Sequence, residues 1–329
     1  MRPQITILTD PVRSGPYLLI EPAKSLARKI RDRFSARPTF KRSTYRGHFA
    51  VTRSMVEGLQ KIGIRSNYNP RKFTEVGEVV VVPGGFAALH QAIQWKRRGF
   101  IRRLLAGTNL VDFPSERREL MCAGEIDLLL VPGDWVRDNF IVDCPELGGR
   151  VISWPAGVDT AYWRPGSGES QERCLIYEKQ IVGRERVGPV SDYARVIEKR
   201  GYQTSLLQYG TYMPNDYLQT LRRSCALIGF VVNETQGIAW AEAWSANVPT
   251  LLWNQAFVTF KGRAYPASTA PYLTSHTGLF FRSLAEFDTV FEHWLNNRDQ
   301  FHPRQWVIEN MSDEVCARRL CTLAGIACE

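Results

Sequence analysis

Short apolar runs and amphipathic stretches alternate along most of the chain. QITILTD (4–10) reads as a strand, and EVVVVPGG (78–85) is apolar without interruption until Pro83. Between and after them, EPAKSLARKIRDRF (21–34), TRSMVEGLQKIG (52–63) and FAALHQAIQWKRRG (86–99) carry apolar residues at helical spacing. The second closes at Gly63, and the third ends in cations that suit the negative end of a helix dipole. IRRLLAGTNL (101–110) contains a further strand, EIDLLLVPGDWVRDNF (125–140) reads strand, turn, helix, and GRVISWPAGVD (149–159) ends this series. Strands that are apolar on both faces and separated by helices predict a parallel sheet covered on both sides.

The alternation then restarts. RCLIYEK (173–179), QTSLLQYG (203–210), CALIGFVV (225–232) and VPTLLWN (248–254) read as strands. GPVSDYARVIEKRGY (188–202), NDYLQTLRRS (215–224) and GIAWAEAWSAN (237–247) read as the helices between them. WRPGSGESQE (163–172) separates the two series, so the pattern predicts an α/β chain of two Rossmann-like domains. Their expected extents are 1–165 and 166–302, with a helical tail over 303–329.

In such sheets ligands sit beyond the carboxyl ends of the strands. CALIGFVV runs into ETQGIAWAEAW (234–244), which puts Glu234 in a polar turn, Gly237 at the start of a helix and Glu242 inside it. The N–H groups of a first helical turn lack intrahelical partners and attract phosphate, and Gly237 lets the phosphate approach. An anion site between two carboxylates matches a nucleotide-sugar, which carries hydroxyls on the sugar, a diphosphate, then hydroxyls on the ribose. Gln236 and Thr235 fall in the same turn, and Ile238 opens the helix.

Charge changes the picture for the first half. Residues 1–165 hold 26 Lys+Arg against 16 Asp+Glu, and residues 166–329 hold 16 against 17. The basic half suggests an anionic partner: a membrane surface, a phosphorylated acceptor or nucleic acid. WKRRGFIRR (95–103), with Trp95 and Phe100 among cations, and RKIRDRF (28–34) have the composition of an interfacial anchor or of a solvated helix end. Seven scattered cysteines form no CxxC pair, so neither a disulfide framework nor a zinc site is expected. The five histidines show no metal-ligand spacing, and there is no DxD. No cofactor and no metal are expected. VPGGFAALH (82–90) is a strand, glycine turn and helix that would cradle phosphate, though GxGxxG is absent. MRPQITILTD enters a strand directly, with no apolar leader or membrane-spanning run expected.

ETQGIAWAEAW resembles the Glu, seven residues, Glu motif of retaining GT-B glycosyltransferases, especially glycosyltransferase family 4, with Glu234, Gly237, Glu242 and Ala243 at the matching positions. LLLVPGDWVRDNF, WPAGVDTAYWRP (154–165) and TGLFF (277–281) are similar, in order, to the family's interdomain strand and helix, the segment ending the first domain, and the turn after the donor site. The resemblance covers roughly residues 78–290. It implies a GT-B fold, two Rossmann-like domains with parallel sheets facing a cleft, whose last helix crosses back to the first domain. It implies retaining, metal-independent transfer of a sugar from a nucleoside diphosphate-sugar to a glycan or lipid-linked acceptor, in surface-polysaccharide assembly, on the cytoplasmic side and peripheral to the membrane.

The same resemblance implies site roles. Glu234 would hold the sugar hydroxyls and Glu242 the ribose. Lys179 follows the second domain's first strand and stands in for the family's diphosphate cations, with Arg184 second and Arg186 third. Tyr209 and Gly210 lie where the base sits. Gly15 lies in the loop that reaches acceptor or diphosphate. Thr108 and Asn109 stand where the family places a histidine beside the transferred sugar. The rival readings are a GT-B transferase that modifies nucleic acid and a non-enzymatic basic nucleic-acid-binding protein, the latter leaving the glutamate pair unexplained.

Overall fold

A computed structural model of the chain describes residues 3–12, 47–167, 172–179 and 188–328. The predicted helix over 21–34, its basic run, Gly15, Arg184 and Arg186 lie outside these residues. The chain divides into two compact units. One contains the residues up to Trp154 and those from Cys316 onward, and the other is Pro155–Val315.

The first unit is built on β1 (Ile5–Thr9), β2 (Ser66–Tyr68), β3 (Val79–Gly84), β4 (Arg103–Asn109), β5 (Leu128–Val131) and β6 (Val151–Ser153). They form a parallel sheet in the order β2-β1-β3-β4-β5-β6. Helices α1 (Gly47–Lys61), α2 (Phe86–Arg97), α3 (Arg118–Met121) and α4 (Asp134–Asp143) lie between strands. The apolar runs explain the sheet: Leu8, Val80, Val82, Leu104, Ala106 and Leu129 are buried in one cluster with Ala88, Leu89, Ala92 and Ile93 of α2. Each large aliphatic side chain so buried contributes about 1.5–3 kcal/mol.

Strand order reverses between β1 and β3, and their carboxyl ends meet at α2. There Asp10, just after β1, turns its carboxylate onto the first turn of α2: Oδ1 accepts from the Ala88 N–H at 2.8 Å and Oδ2 from Ala87 N–H at 3.4 Å. The glycine turn read as a phosphate cradle is therefore closed by the protein's own anion. Gly85, with φ of +100°, makes this fit, because a Cβ there would stand 2.6 Å from Asp10 Cγ. Gly85→Ala is expected to cost about 2–3 kcal/mol through backbone strain and this overlap. That should appear as a drop of roughly 5–10 °C in the unfolding midpoint. An unchanged midpoint would show that the Asp10 cap carries no weight.

The second unit is built on β7 (Arg173–Lys179), β8 (Gln203–Gln208), β9 (Ala226–Val231), β10 (Thr250–Trp253), a hairpin of β11 (Phe257–Phe260) and β12 (Arg263–Pro266), and β13 (Gly278–Phe281). The five-stranded parallel sheet has the order β13-β10-β9-β7-β8, the same winding as the first unit. Its helices are α5 (Val190–Glu198), α6 (Pro214–Leu221), α7 (Ile238–Ser245), α8 (Leu284–Asn296) and α9 (Pro303–Asn310), followed by α10 (Asp313–Ala324), which runs into the first unit's residues. Ile176, Ile228, Phe230 and Leu251 share a core with Tyr193, Ile197, Phe287 and Phe291.

Three details depart from the sequence reading. TGLFF, read as a turn, is the edge strand β13, with Thr250 paired to Gly278. The antiparallel hairpin, closed by Lys261–Gly262, was not anticipated. The tail, read as helical over 303–329, breaks between α9 and α10. The cause is a tertiary bridge: Val158 N–H donates to the Met311 carbonyl at 2.8 Å and its carbonyl accepts from Asp313 N–H at 3.1 Å. The first compact unit runs to Trp154 and takes in the residues from Cys316 onward. Within that unit Trp154 Nε1 donates to the Cys316 carbonyl at 2.9 Å.

Candidate active site

In the second unit the order reverses between β7 and β9, so the carboxyl ends of these strands define its ligand crevice. Lys179 is the last residue of β7, paired in register with Val231, the last of β9. The chain leaves β9 through Glu234, and the Lys179 ammonium forms an ion pair and hydrogen bond with Glu234 Oε1. The same ammonium lies 4.9 Å from the centroid of the Tyr209 ring, just beyond β8. Tyr209 is held there by its N–H, which donates to the Glu178 carbonyl at 2.8 Å, and it is half-exposed. Gly210 follows with φ of +91°. Three residues chosen from different strands of the sequence, Lys179, Tyr209 and Glu234, are thus brought to one place.

Thr235, Gln236 and Gly237 carry the chain from Glu234 into α7. Gly237 is the N-cap in the left-handed region, at φ of +68° and ψ of 39°. Its carbonyl accepts from the N–H groups of Trp240 and Ala241, and the N–H groups ahead of these have no intrahelical partner. A Cβ on Gly237 would stand 2.8 Å from Trp240 Cδ1. Trp240 is fully buried and fixed from three sides. Its indole N–H donates to the Thr269 carbonyl at 2.7 Å, its ring meets Tyr177 edge-on at 5.3 Å, and it fills the space over Gly229. The backbone of Glu234 is fixed too, its N–H donating to the Ser268 carbonyl at 3.0 Å. Gln236 is 7% exposed, and neither end of its amide has a hydrogen-bond partner among the described residues.

Glu242 is the fifth residue of α7 and is 6% exposed. It lies among phenols. Burial pushes Tyr217 well up from the usual range, and the charges of Tyr212 and Glu242 add to this. Burial likewise raises Tyr162, with Glu242 the next contributor. Tyr217 also donates to the Ala239 carbonyl at 2.8 Å, tying α6 to the first turn of α7. The sequence reading missed Tyr162, Tyr217, Trp240 and the 268–271 strap. The density of tryptophan in IAWAEAW was the available signal for the second layer behind the carboxylates.

The remaining predicted residues among those described belong to the first unit. Thr108 and Asn109 end β4, with Asn109 in register with Gly84. The Thr108 hydroxyl is buried without a hydrogen-bond partner among the described residues.

The arrangement offers a cation, a carboxylate, unpaired backbone N–H groups and an exposed aromatic ring at one strand-end crevice. No protein-family model and no curated protein matches the chain. Solved structures do. The N-terminal domain of a Candida albicans trehalose-6-phosphate phosphatase matches at a TM-score of 0.54, with 10% identity, over 98% of this chain and 96% of that one. A sucrose-phosphate synthase from Thermosynechococcus elongatus matches at 0.51, with 11% identity, over 98% of each chain. The fold is GT-B. TarM also matches, at 0.49 and 12% identity, over 75% of this chain, which spans about half of TarM (54%). Within the GT-B fold, the second unit carries Glu234 and Glu242 around the start of α7, and the first carries the Asp10 carboxylate on the start of α2.

Proposed function

We propose that the chain is a glycosyltransferase that moves a sugar from a nucleoside diphosphate-sugar to a glycan or lipid-linked acceptor with retention of configuration. The observation that carries this reading is the meeting of Lys179 and Glu234 at the β7/β9 switch point, ahead of the N-terminus of α7. The GT-B fold supports sugar transfer as the general activity.

In this reading the diphosphate lies at the first turn of α7, with Lys179 and, from sequence resemblance, Arg184 on its oxygens. Glu234 takes the sugar hydroxyls, Glu242 the ribose, and Tyr209 with Gly210 the base. The acceptor hydroxyl attacks the anomeric carbon as the bond from that carbon to the phosphate oxygen breaks. The hydroxyl proton passes to the departing phosphate, leaving a glycoside and a nucleoside diphosphate. The protein's main contribution is to neutralise charge growing on the leaving group, with Lys179 and the helix terminus in the role a divalent ion fills elsewhere. The basic first domain would receive the acceptor, and an anionic membrane surface is its second partner. No helix among the described residues is long and apolar enough to cross a membrane, and a peripheral placement in surface-polysaccharide assembly suits the charge.

The test is a panel of nucleotide-sugars. The matching donor should raise the unfolding midpoint, because a ligand at a hundred times its Kd adds about 2.7 kcal/mol to stability. It should also be hydrolysed slowly without acceptor. A panel in which no nucleotide-sugar stabilises the protein, while nucleic acid binds with a steep salt dependence, would replace this reading with a nucleic-acid function.

A further inference from the structure

We propose that Cys122, Cys144 and Glu146 of the first unit bind a thiophilic divalent cation of the zinc class. The three residues each offer one ligand atom, and these atoms all lie within 4.8 Å of one another. Cys122 Sγ stands 3.6 Å from Glu146 Oε1. Zinc bonds of about 2.3 Å to sulfur and 2.0–2.2 Å to oxygen give a tetrahedral sulfur–oxygen edge of about 3.5 Å, so this pair is already at coordination spacing.

Charge fits as well. Two thiolates and a carboxylate carry three negative charges. A divalent cation supplies two positive charges and Arg118, whose Nη2 lies 2.6 Å from Glu146 Oε1, supplies the third. Arg118 then serves as the outer partner that orients the liganding carboxylate. The metal-bound site and the protonated, metal-free site are both neutral, so binding leaves no net charge half-buried.

The backbone holds the donors in place. Cys122 follows α3, and Arg150 clamps its turn through the carbonyls of Cys122 at 3.4 Å, Ala123 at 3.1 Å and Ile126 at 3.3 Å. Cys144 ends α4 with its N–H on the Phe140 carbonyl at 2.9 Å. The single turn Pro145–Leu147 that follows presents Glu146, closed by Leu147 N–H on the Cys144 carbonyl at 3.0 Å. The cysteine spacing concealed this because the two thiols come from different helix ends rather than one CxxC loop. Three protein ligands leave a fourth position for water, and the cation would tie the end of α3 to the end of α4.

Cobalt(II) added to the reduced protein is the probe. The expected result is one equivalent bound with a thiolate-to-cobalt absorption band that zinc abolishes by displacement. Cys122→Ala should remove the band, and Glu146→Gln should weaken cobalt binding by about tenfold or more. Cys225→Ala should leave it intact, since among the described residues Cys225 joins no such cluster of three ligand atoms and its thiol donates to the Arg173 carbonyl at 3.2 Å. Absence of a thiolate band, or a band that survives Cys122→Ala, would overturn the proposal, as would isolation of a Cys122–Cys144 disulfide in a chain that takes no metal when reduced. Cys144 is fully buried, so Cys122→Ala and Glu146→Gln decide the matter even if Cys144→Ala does not fold. Nucleoside diphosphate affinity should not change in Glu146→Gln, which separates this site from the transferase reading.

Discussion

Glu234→Gln should leave the affinity for the sugar-free nucleoside diphosphate almost untouched and reduce turnover of the full donor by roughly ten- to a hundredfold. Gln keeps the size and one acceptor oxygen but loses the charge, and a hydrogen bond to a charged group is worth about 1.5–3 kcal/mol. The loss should fall mostly on turnover if the contact with the sugar tightens as the bond to phosphate breaks. Glu242→Gln should behave differently. It should weaken diphosphate and donor about equally, because both carry the ribose. The buried surroundings of Glu242 sharpen the comparison: a purely packing role would lower the unfolding midpoint of Glu242→Gln and leave ligand affinity alone. Calorimetric affinity for the diphosphate and donor kinetics, measured on both variants, distinguish these outcomes. Near-wild-type values for both would remove the carboxylates from the mechanism.

Lys179→Met is expected to weaken the nucleoside diphosphate by roughly ten- to a hundredfold, since it deletes a charge-assisted contact to the leaving group. Donor turnover should fall further than affinity, because negative charge grows on the phosphate as the bond breaks. The ion pair with Glu234 adds a second signature. In the free protein each of the two side chains is the other's partner, so their substitutions should not be additive. The double variant Lys179→Met/Glu234→Gln should be less impaired than the product of the single effects, with a coupling of about 0.5–3 kcal/mol. Strict additivity in diphosphate binding and in turnover would mean that the pair does not act as a unit.

What the sequence disclosed follows the range of the interactions concerned. The strands β3 and β9 are uninterrupted apolar runs and β7 has an apolar centre over 174–177, and the ends of β7 and β9 are marked by Lys179 and by the polar turn at Glu234. Local pattern was enough for these, and the parallel order then brought Lys179 to Glu234. The break between α9 and α10 was not legible, because it depends on Val158 reaching Met311 and Asp313 from the far end of the unit. The Asp10 cap joins residues 78 positions apart. The phenols around Glu242 come from Tyr162 and Tyr217, neither of which has a spacing relation to the motif. The hairpin at 257–266 was hidden by its exposed, alternating residues, which carry no core-facing stripe. Apart from the hairpin, the missing information is a long-range partner rather than a misjudged propensity.

The two units wind their sheets in the same order, so the carboxyl ends of β1 and β7 are equivalent places in the two windings, and a charged residue stands at each. In the first unit that residue is Asp10, and its carboxylate sits on the first turn of the helix that follows the third strand. In the second unit it is Lys179, facing the loop that leads to α7. A sign reversal at one strand end therefore divides the labour between two copies of a single winding. The acidic copy's helix terminus is capped from within, while in the proposed reading the helix dipole of the basic copy would serve a guest. Exchanging the two signs would be expected to move the protein's preference for phosphate from one unit to the other before any other contact was altered.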